Sequence, residues 1–183
     1  RMSIYVSTGG TTGIGAEARK KLQDEGHEVF NIDYNGGYYT ADLSTDEGRK
    51  GAVKAVFLKY PDGIDGVLCN AGVGPTAPPK KIFALNFFAA IAIAEGLRPL
   101  LKKKGGNCVV TSSNSITNAT VKRDWVNMLS HVADQTATMD FAGHILPDKT
   151  PSCSTPSHTP LAPLVSSASP SRAPHGTRYH PVS

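Results

Sequence analysis

Thr8-Gly9-Gly10-Thr11-Thr12-Gly13-Ile14-Gly15 decides the fold, because this stretch joins a short apolar run to the first amphipathic segment of the chain. The run before it, Ser3-Ile4-Tyr5-Val6-Ser7, is typical of a buried β-strand, and the segment after it predicts a helix over 13–25, stopped by Gly26. Glycines at such a junction permit a tight turn and let phosphate groups of a ligand approach the N–H groups of the helix N-terminus. The stretch therefore predicts a phosphate-binding loop, with a plain strand-to-helix turn as the alternative.

Strands and helices alternate beyond this loop. Further apolar runs predict strands at 27–32, 37–41, 64–69 and 107–112. Ser44-Thr45-Asp46-Glu47 has the form of a capping box that opens a helix ending near Tyr60, and a long helix is expected over 80–104. Because such alternation favours a parallel sheet with helices on both faces, we predict an α/β fold with a Rossmann-like, doubly wound parallel sheet. We expect the sheet to be C-terminally incomplete and followed by an irregular tail.

Asp33 directly follows the second predicted strand, where an acidic residue can bind the adenosine ribose hydroxyls of a dinucleotide. A carboxylate there repels a 2′-phosphate, and Tyr34-Asn35-Gly36-Gly37 contains no Arg or Lys to neutralise one. This pattern favours NAD over NADP as the cofactor. The alternative is a solvated aspartate in a turn.

Domain organisation follows from a change in composition near Pro147. The 183 residues suffice for one domain with a sizeable core and are too few for two ordinary domains. We predict an NAD-binding, Rossmann-like domain over residues 1–147, with a spacer helix at about 123–141, and a Pro/Ser-rich irregular tail over 148–183. A reading-frame change, alternative splicing and a sequence error each explain so abrupt a change, and the residues leave all of these open.

Charge and hydropathy argue against two kinds of partner. The formal net charge of +4 comes partly from Lys102-Lys103-Lys104, which we interpret as the solvated C-terminal turn of a helix. No aromatic residues are interleaved with basic ones as base stacking requires. No uninterrupted apolar run reaches the roughly 18 residues of a membrane span. We expect no nucleic-acid partner and no membrane contact.

The cysteines indicate the compartment. Cys69, Cys108 and Cys153 are far apart and lack C-x-x-C spacing, and the first two lie in apolar runs. Buried free thiols in a reducing compartment are the simplest interpretation, which makes the protein cytoplasmic. His158 near Cys153 has no further ligands beside it, so we expect no metal site.

Four motifs together resemble the short-chain dehydrogenase/reductase family. They are the glycine-rich stretch 8–15, Asp42-Leu43, Asn70-Ala71-Gly72 and the Val-Val-x-Ser-Ser segment at 109–113, in the family's order and spacing over about the first 115 residues. Within the family, the stretches G-H-E-V-F-N-I-D, A-D-L-S-T-D-E-G-R-K and C-N-A-G-V-G-P are most similar to bacterial 3α-hydroxysteroid dehydrogenase/carbonyl reductase. The resemblance implies an NAD-dependent oxidoreductase that moves hydride between the cofactor and a hydroxysteroid or another alcohol or carbonyl compound.

The resemblance also implies roles for individual residues. The cofactor-binding residues it implies are Gly9, Thr11, Thr12, Gly13, Ile14, Gly15, Asp33, Asp42, Leu43, Asn70, Ala71 and Gly72. Of these, Asp42 and Leu43 match the pair that flanks the adenine ring, and the 70–72 segment matches the one that packs beside the nicotinamide ribose and stabilises the central sheet. Ser113 matches the catalytic serine that hydrogen-bonds the substrate oxygen, and Asn86 matches the asparagine that holds a water in the proton relay. Read without the family, Ser113 would be a strand-end serine that caps the backbone.

The family's Tyr-x-x-x-Lys pair is not found in the sequence. The residues four positions beyond Tyr5, Tyr34, Tyr38, Tyr39, Tyr60 and Tyr179 are Gly9, Tyr38, Asp42, Leu43, Ile64 and Ser183. A tyrosine with an ordinary pKa of about 10 needs a nearby cation to act as a base at neutral pH. We therefore expect hydride-transfer activity to be impaired. The alternative is a non-catalytic dinucleotide-binding or regulatory protein, and a homo-oligomer is possible in either case.

Overall fold

The computed structural model describes residues 1–113, and the predicted spacer helix and Pro/Ser-rich tail lie outside this part of the chain. The strands are β1 (Ile4–Thr8), β2 (Glu28–Asp33), β3 (Tyr39–Thr40), β4 (Gly66–Cys69) and β5 (Asn107–Val110). The helices are α1 (Gly13–Asp24), α2 (Asp46–Lys59), α3 (Pro79–Phe83) and α4 (Ala90–Lys104), with a π-helical segment (Ala84–Ala89) that joins α3 to α4.

The five strands form one parallel sheet in the order β3-β2-β1-β4-β5. Val6 in β1 is paired with Phe30 on one side and with Val67 on the other. The chain winds outward from β1 to β3 and then crosses over to β4, so the strand order reverses between β1 and β4. Ligands of open α/β sheets bind outside the carboxyl ends of the strands at such a reversal. The predicted Rossmann-like parallel sheet is confirmed.

The core lies between the sheet and the helices that cover it. Val6 and Ile32 of the sheet are fully buried, as are Ile93, Leu97 and Leu100, which recur at helical spacing along α4. The helical stretch Pro79–Lys104 is long and apolar enough to cross a membrane, with a mean hydropathy of 1.4 in its most apolar window. Its apolar face instead packs in the core cluster with the strands, which accounts for that composition.

The structure refines two of the helix predictions. Thr45, not Ser44, caps α2, and its side-chain oxygen accepts the N–H of Gly48 at 3.0 Å. The Ser44 hydroxyl instead donates to Asp42, so the capping box does not form with Ser44 as its first residue. The long helix expected over 80–104 begins one residue earlier and contains the π-helical segment, a feature that often marks functional sites.

Candidate functional site

A cleft of about 280 Å³ lies at the carboxyl edge of the sheet, beside the reversal between β1 and β4. Eight of the residues that the sequence assigned to cofactor binding line it: Gly9, Thr12, Asp33, Asp42, Leu43, Asn70, Ala71 and Gly72. Thr11, Gly13, Ile14 and Gly15 belong to the same loop and helix start without lining the cleft. The structure thus brings together residues from four separate segments of the chain.

The glycines of the loop are required by close backbone packing. Gly9 has φ +69°, and a Cβ there would lie 2.7 Å from the Cα of Ala71. A Cβ on Gly15 would overlap the carbonyl oxygen of Gly9. Any larger side chain at either position would push the loop and the segment after β4 apart, or occupy the space where they meet. The loop therefore holds its shape only with glycine at these positions.

The N-terminus of α1 opens beside this loop without a side-chain cap. Thr12 is the N-cap residue and lines the cleft, but its side chain makes no capping hydrogen bond. Ile14, in the first turn, is 73% exposed. The first N–H groups of a helix need acceptors and carry the positive end of its dipole, so this terminus is suited to an anionic group.

Asn31 supports the loop from below, and sequence reasoning missed it. Its side-chain oxygen accepts the N–H of Gly10 at 2.9 Å and the hydroxyl of Ser7 at 3.0 Å, and the residue is 1% exposed. A Cβ on Gly10 would collide with this carboxamide, so glycine leaves the room that Asn31 fills. The signal that could have found it is an amide in the middle of an otherwise apolar strand, E-V-F-N-I-D.

Asp33 is placed at the end of β2 by two hydrogen bonds. One carboxylate oxygen accepts the N–H of Thr11 at 3.1 Å, and the other accepts the N–H of Asn35 at 3.2 Å. The carboxylate is therefore held between the glycine-rich loop and the turn after β2, and it lines the cleft. A ribose hydroxyl in the cleft could donate to lone pairs that these N–H groups leave free.

Asp42 also lines the cleft. Hydrogen bonds from the hydroxyl and the backbone N–H of Ser44 hold the pKa of Asp42 below its ordinary value, and the charge of Lys81 adds to this effect. Leu43 next to it is buried. The buried Arg49 secures the backbone here, since its guanidinium donates to the carbonyl oxygens of Leu43 at 3.3 Å and of Ala84 at 3.4 Å.

The segment after β4 is tied to its neighbours by side-chain hydrogen bonds. The Thr8 hydroxyl oxygen accepts the N–H groups of Asn70 and Ala71, both at 3.1 Å. The Asn70 side-chain oxygen accepts the hydroxyl of Thr111 at 2.8 Å, just beyond β5. Asn70 thus links the carboxyl ends of β1, β4 and β5.

The two residues predicted to be catalytic lie outside the lining of the cleft. Asn86, in the π-helical segment, accepts the N–H of Val73 at 2.8 Å and donates to its carbonyl oxygen at 3.0 Å. Its side chain therefore anchors the loop after Gly72. Ser113 is half-buried beyond β5, at the last described position. Within residues 1–113, no three potential metal ligands come together.

Comparison with known proteins gives a consistent set of relatives. The chain is 43% identical over 103 residues to the 3-alpha-hydroxysteroid dehydrogenase/carbonyl reductase of Comamonas testosteroni, which covers 56% of this chain and 40% of that protein. It is 35% identical over 115 residues to the coniferyl-alcohol dehydrogenase of Pseudomonas sp. (strain HR199 / DSM 7063), covering 59% and 43% of the two chains. No family model matches the chain.

A solved structure shares the fold. The 3-alpha-hydroxysteroid dehydrogenase from Pseudomonas sp. B-0831, complexed with NADH, superposes with a TM-score of 0.72 at 32% identity. The match covers 78% of this chain and 57% of that chain. The chain spans less than half the length of the two curated relatives and somewhat more than half of this structure.

Proposed function

Because the chain belongs to the short-chain dehydrogenase/reductase family, we propose that its cleft binds NAD and that the protein transfers hydride between NAD and an alcohol or carbonyl compound. The observation that carries the proposal is the uncapped N-terminus of α1, which opens beside the glycine-rich loop at the reversal of strand order. Such a terminus attracts a pyrophosphate, and the glycines leave space for it. The relative solved with NADH supports the choice of nicotinamide cofactor.

The residues of the cleft divide the work of holding the cofactor. The start of α1 would bind the pyrophosphate, and Asp33 the adenosine ribose hydroxyls. Asp42 and Leu43 would lie against the adenine, and the 70–72 segment beside the nicotinamide ribose, as the family resemblance implies. NAD, when bound, accepts or supplies the hydride. Asp33 makes NAD the preferred form, since its carboxylate repels a 2′-phosphate.

Proton transfer is the step of the reaction for which we identify no suitable acid or base among these 183 residues. Ser113 can donate a hydrogen bond to a substrate oxygen, but a serine hydroxyl is too weak an acid to supply the proton at neutral pH. General acid–base assistance contributes about 10² to 10⁴ in rate. We therefore propose that a protein made of these 183 residues binds NAD but turns substrate over at trace rates.

The substrate class comes from the relatives. Curated relatives named for hydroxysteroids, carbonyl compounds and coniferyl alcohol support a small alcohol or ketone, with a 3α-hydroxysteroid as the first candidate. We also propose that the protein is soluble and cytoplasmic and that it forms a homo-oligomer. A dinucleotide-binding regulatory protein is the second candidate, and the missing Tyr-x-x-x-Lys pair is the observation that favours it.

Binding and turnover measured on one preparation separate the two candidates. We would titrate the 183-residue protein with NAD by calorimetry and assay it with 3α-hydroxysteroids and simple ketones. NAD binding with trace turnover is the expected result. Rates like those of a complete family member would contradict the proposed impairment and favour an enzyme, whereas no NAD binding would remove both candidates.

A further inference from the structure

A lysine from α3 lies at the end of the cleft that we propose to bind adenosine, whereas the turn after Asp33 contains no Lys or Arg. Lys81 lines the cleft together with Tyr34 and Asp42, although it lies on α3, far along the sequence from both. Its ammonium nitrogen is 5.7 Å from the centroid of the Tyr34 ring. Lys81 thus faces the turn that follows β2 from the opposite side of the cleft.

In this position Lys81 lies among acidic residues that also line the cleft. Asp33, which precedes Tyr34 in the chain, and Asp42 both line the cleft, so without a cation two carboxylates would contribute negative potential there. The charge of Lys81 reaches Asp42, whose pKa it helps to lower. An ammonium among these groups offsets part of their negative potential beside Tyr34, near the position that the proposed function assigns to the adenosine ribose and hence to the 2′-phosphate of NADP. The turn Tyr34-Asn35-Gly36-Gly37 contributes no positive charge of its own.

We propose that Lys81 is a specificity-determining residue, which lets the cleft accept the 2′-phosphate of NADP and so narrows the preference for NAD that Asp33 sets. The inference rests on the proposed cofactor site. A dianionic phosphate about 6 Å from an ammonium in a water-like dielectric changes a binding constant roughly threefold to tenfold, allowing for salt screening. NAD carries no charge at this position, so its affinity depends little on Lys81.

The test is calorimetric titration of the 183-residue protein with NAD and with NADP. Lys81→Met keeps the length of the side chain and removes the charge, so the dissociation constant for NADP should rise threefold to tenfold while that for NAD changes less than twofold. Lys81→Arg should restore the ratio of the two constants. Lys80→Met is the matched control, since Lys80 precedes Lys81 on α3 and does not line the cleft; it should leave the ratio unchanged.

Salt provides a second readout. Raising the salt concentration should weaken NADP binding to the unaltered protein more steeply than to Lys81→Met. The inference is overturned if Lys81→Met changes both constants alike, or if Lys80→Met changes the ratio as much. If Lys81→Met leaves both NAD binding and the ratio of the two constants unchanged, Lys81 has no role in specificity and the proposed cofactor site still stands. If neither nucleotide binds, the proposed cofactor site is wrong and this inference fails with it.

Discussion

At the scale of single residues, Asn31 is the side chain on which the shape of the glycine-rich loop depends. A buried carboxamide is stable only with partners, and here its oxygen accepts from both Gly10 and Ser7. Within the described residues its side-chain nitrogen has no acceptor. The stabilising hydrogen bonds of this side chain are therefore the two that its oxygen accepts. The loop and the core are therefore joined through one amide.

Replacing Asn31 by leucine tests this dependence. The change leaves the Gly10 N–H and the Ser7 hydroxyl buried without a partner, so we expect a loss of about 2 to 4 kcal/mol in the free energy of unfolding. NAD binding should weaken as well, because the loop loses its support. Urea unfolding and calorimetry measure the two effects. Asn35→Ala, at an exposed position in the turn after β2, should change stability by less than about 0.5 kcal/mol.

We expect Asp33 to set the choice between the two nicotinamide cofactors. Asp33→Ala removes the charge that repels a 2′-phosphate, so the preference for NAD over NADP should fall, by about tenfold if the separation resembles that of a close ion pair. The ratio of the two dissociation constants measures this. Asp62→Ala, at an exposed position, is the control. A ratio left unchanged by Asp33→Ala would show that Asp33 does not select the cofactor.

At the scale of elements, a hydrogen bond ties the end of α2 to the start of β2. The Tyr60 hydroxyl donates to Glu28 at 2.6 Å, and Lys59 lies 3.2 Å from the same carboxylate oxygen. The Tyr60 hydrogen bond, and after it Lys59, hold the pKa of Glu28 below its ordinary value. Because Tyr60 is buried against Phe30, this contact fixes α2 on its face of the sheet.

The stability that this contact contributes should depend on pH. A carboxyl whose pKa is lowered by folding stabilises the fold above its unfolded pKa, about 4.3, and loses that contribution as the pH falls through its folded value. Tyr60→Phe should therefore destabilise the protein at pH 7 and have a smaller effect near pH 3. Unfolding measured at both pH values checks this, with Tyr39→Phe as the control. An effect of equal size at both would show that Glu28 is not the acceptor that matters.

At the scale of the whole molecule, the cleft exists because the strand order reverses between β1 and β4. The segments after β1 and β4 diverge there, and the hydrogen bonds that the side chains of Thr8 and Asn70 accept hold the edges of the gap. A ligand in this cleft contacts segments that only the folded state brings together, so it should bind the folded protein alone.

NAD should accordingly stabilise the entire domain. A ligand at a hundred times its dissociation constant that binds only the folded state adds about 2.7 kcal/mol to the free energy of unfolding. We expect the thermal midpoint to rise with NAD concentration, measured by calorimetric scanning or fluorescence. Nicotinamide alone lacks the phosphates that α1 would bind and should produce no comparable rise. A midpoint independent of NAD would contradict the assignment of the cleft.

The sequence by itself determined the alternation of strands and helices, the loop between β1 and α1, and the position of Asp33 at the end of β2. It also indicated the resemblance to the short-chain dehydrogenase/reductase family, since the motifs at 8–15, 42–43 and 70–72 stand in the family's order. These features are local: hydrophobic period, glycine and the residue that ends a strand each act within a few positions of the chain. The predicted catalytic roles of Ser113 and Asn86 stay predictions.

Only the tertiary structure decided which distant side chains meet. It placed Asn31 beneath Gly10, turned the Asn86 carboxamide onto the backbone of Val73, and brought Lys81 to the end of the cleft that Tyr34 and Asp42 line. The amide of Asn31 within an apolar strand is a local signal, but the partner of each of these side chains depends on the register of the sheet or on how a helix packs against it. The charge around the proposed cofactor site therefore depends on the tertiary structure, because charged residues that are far apart in the chain lie close together there.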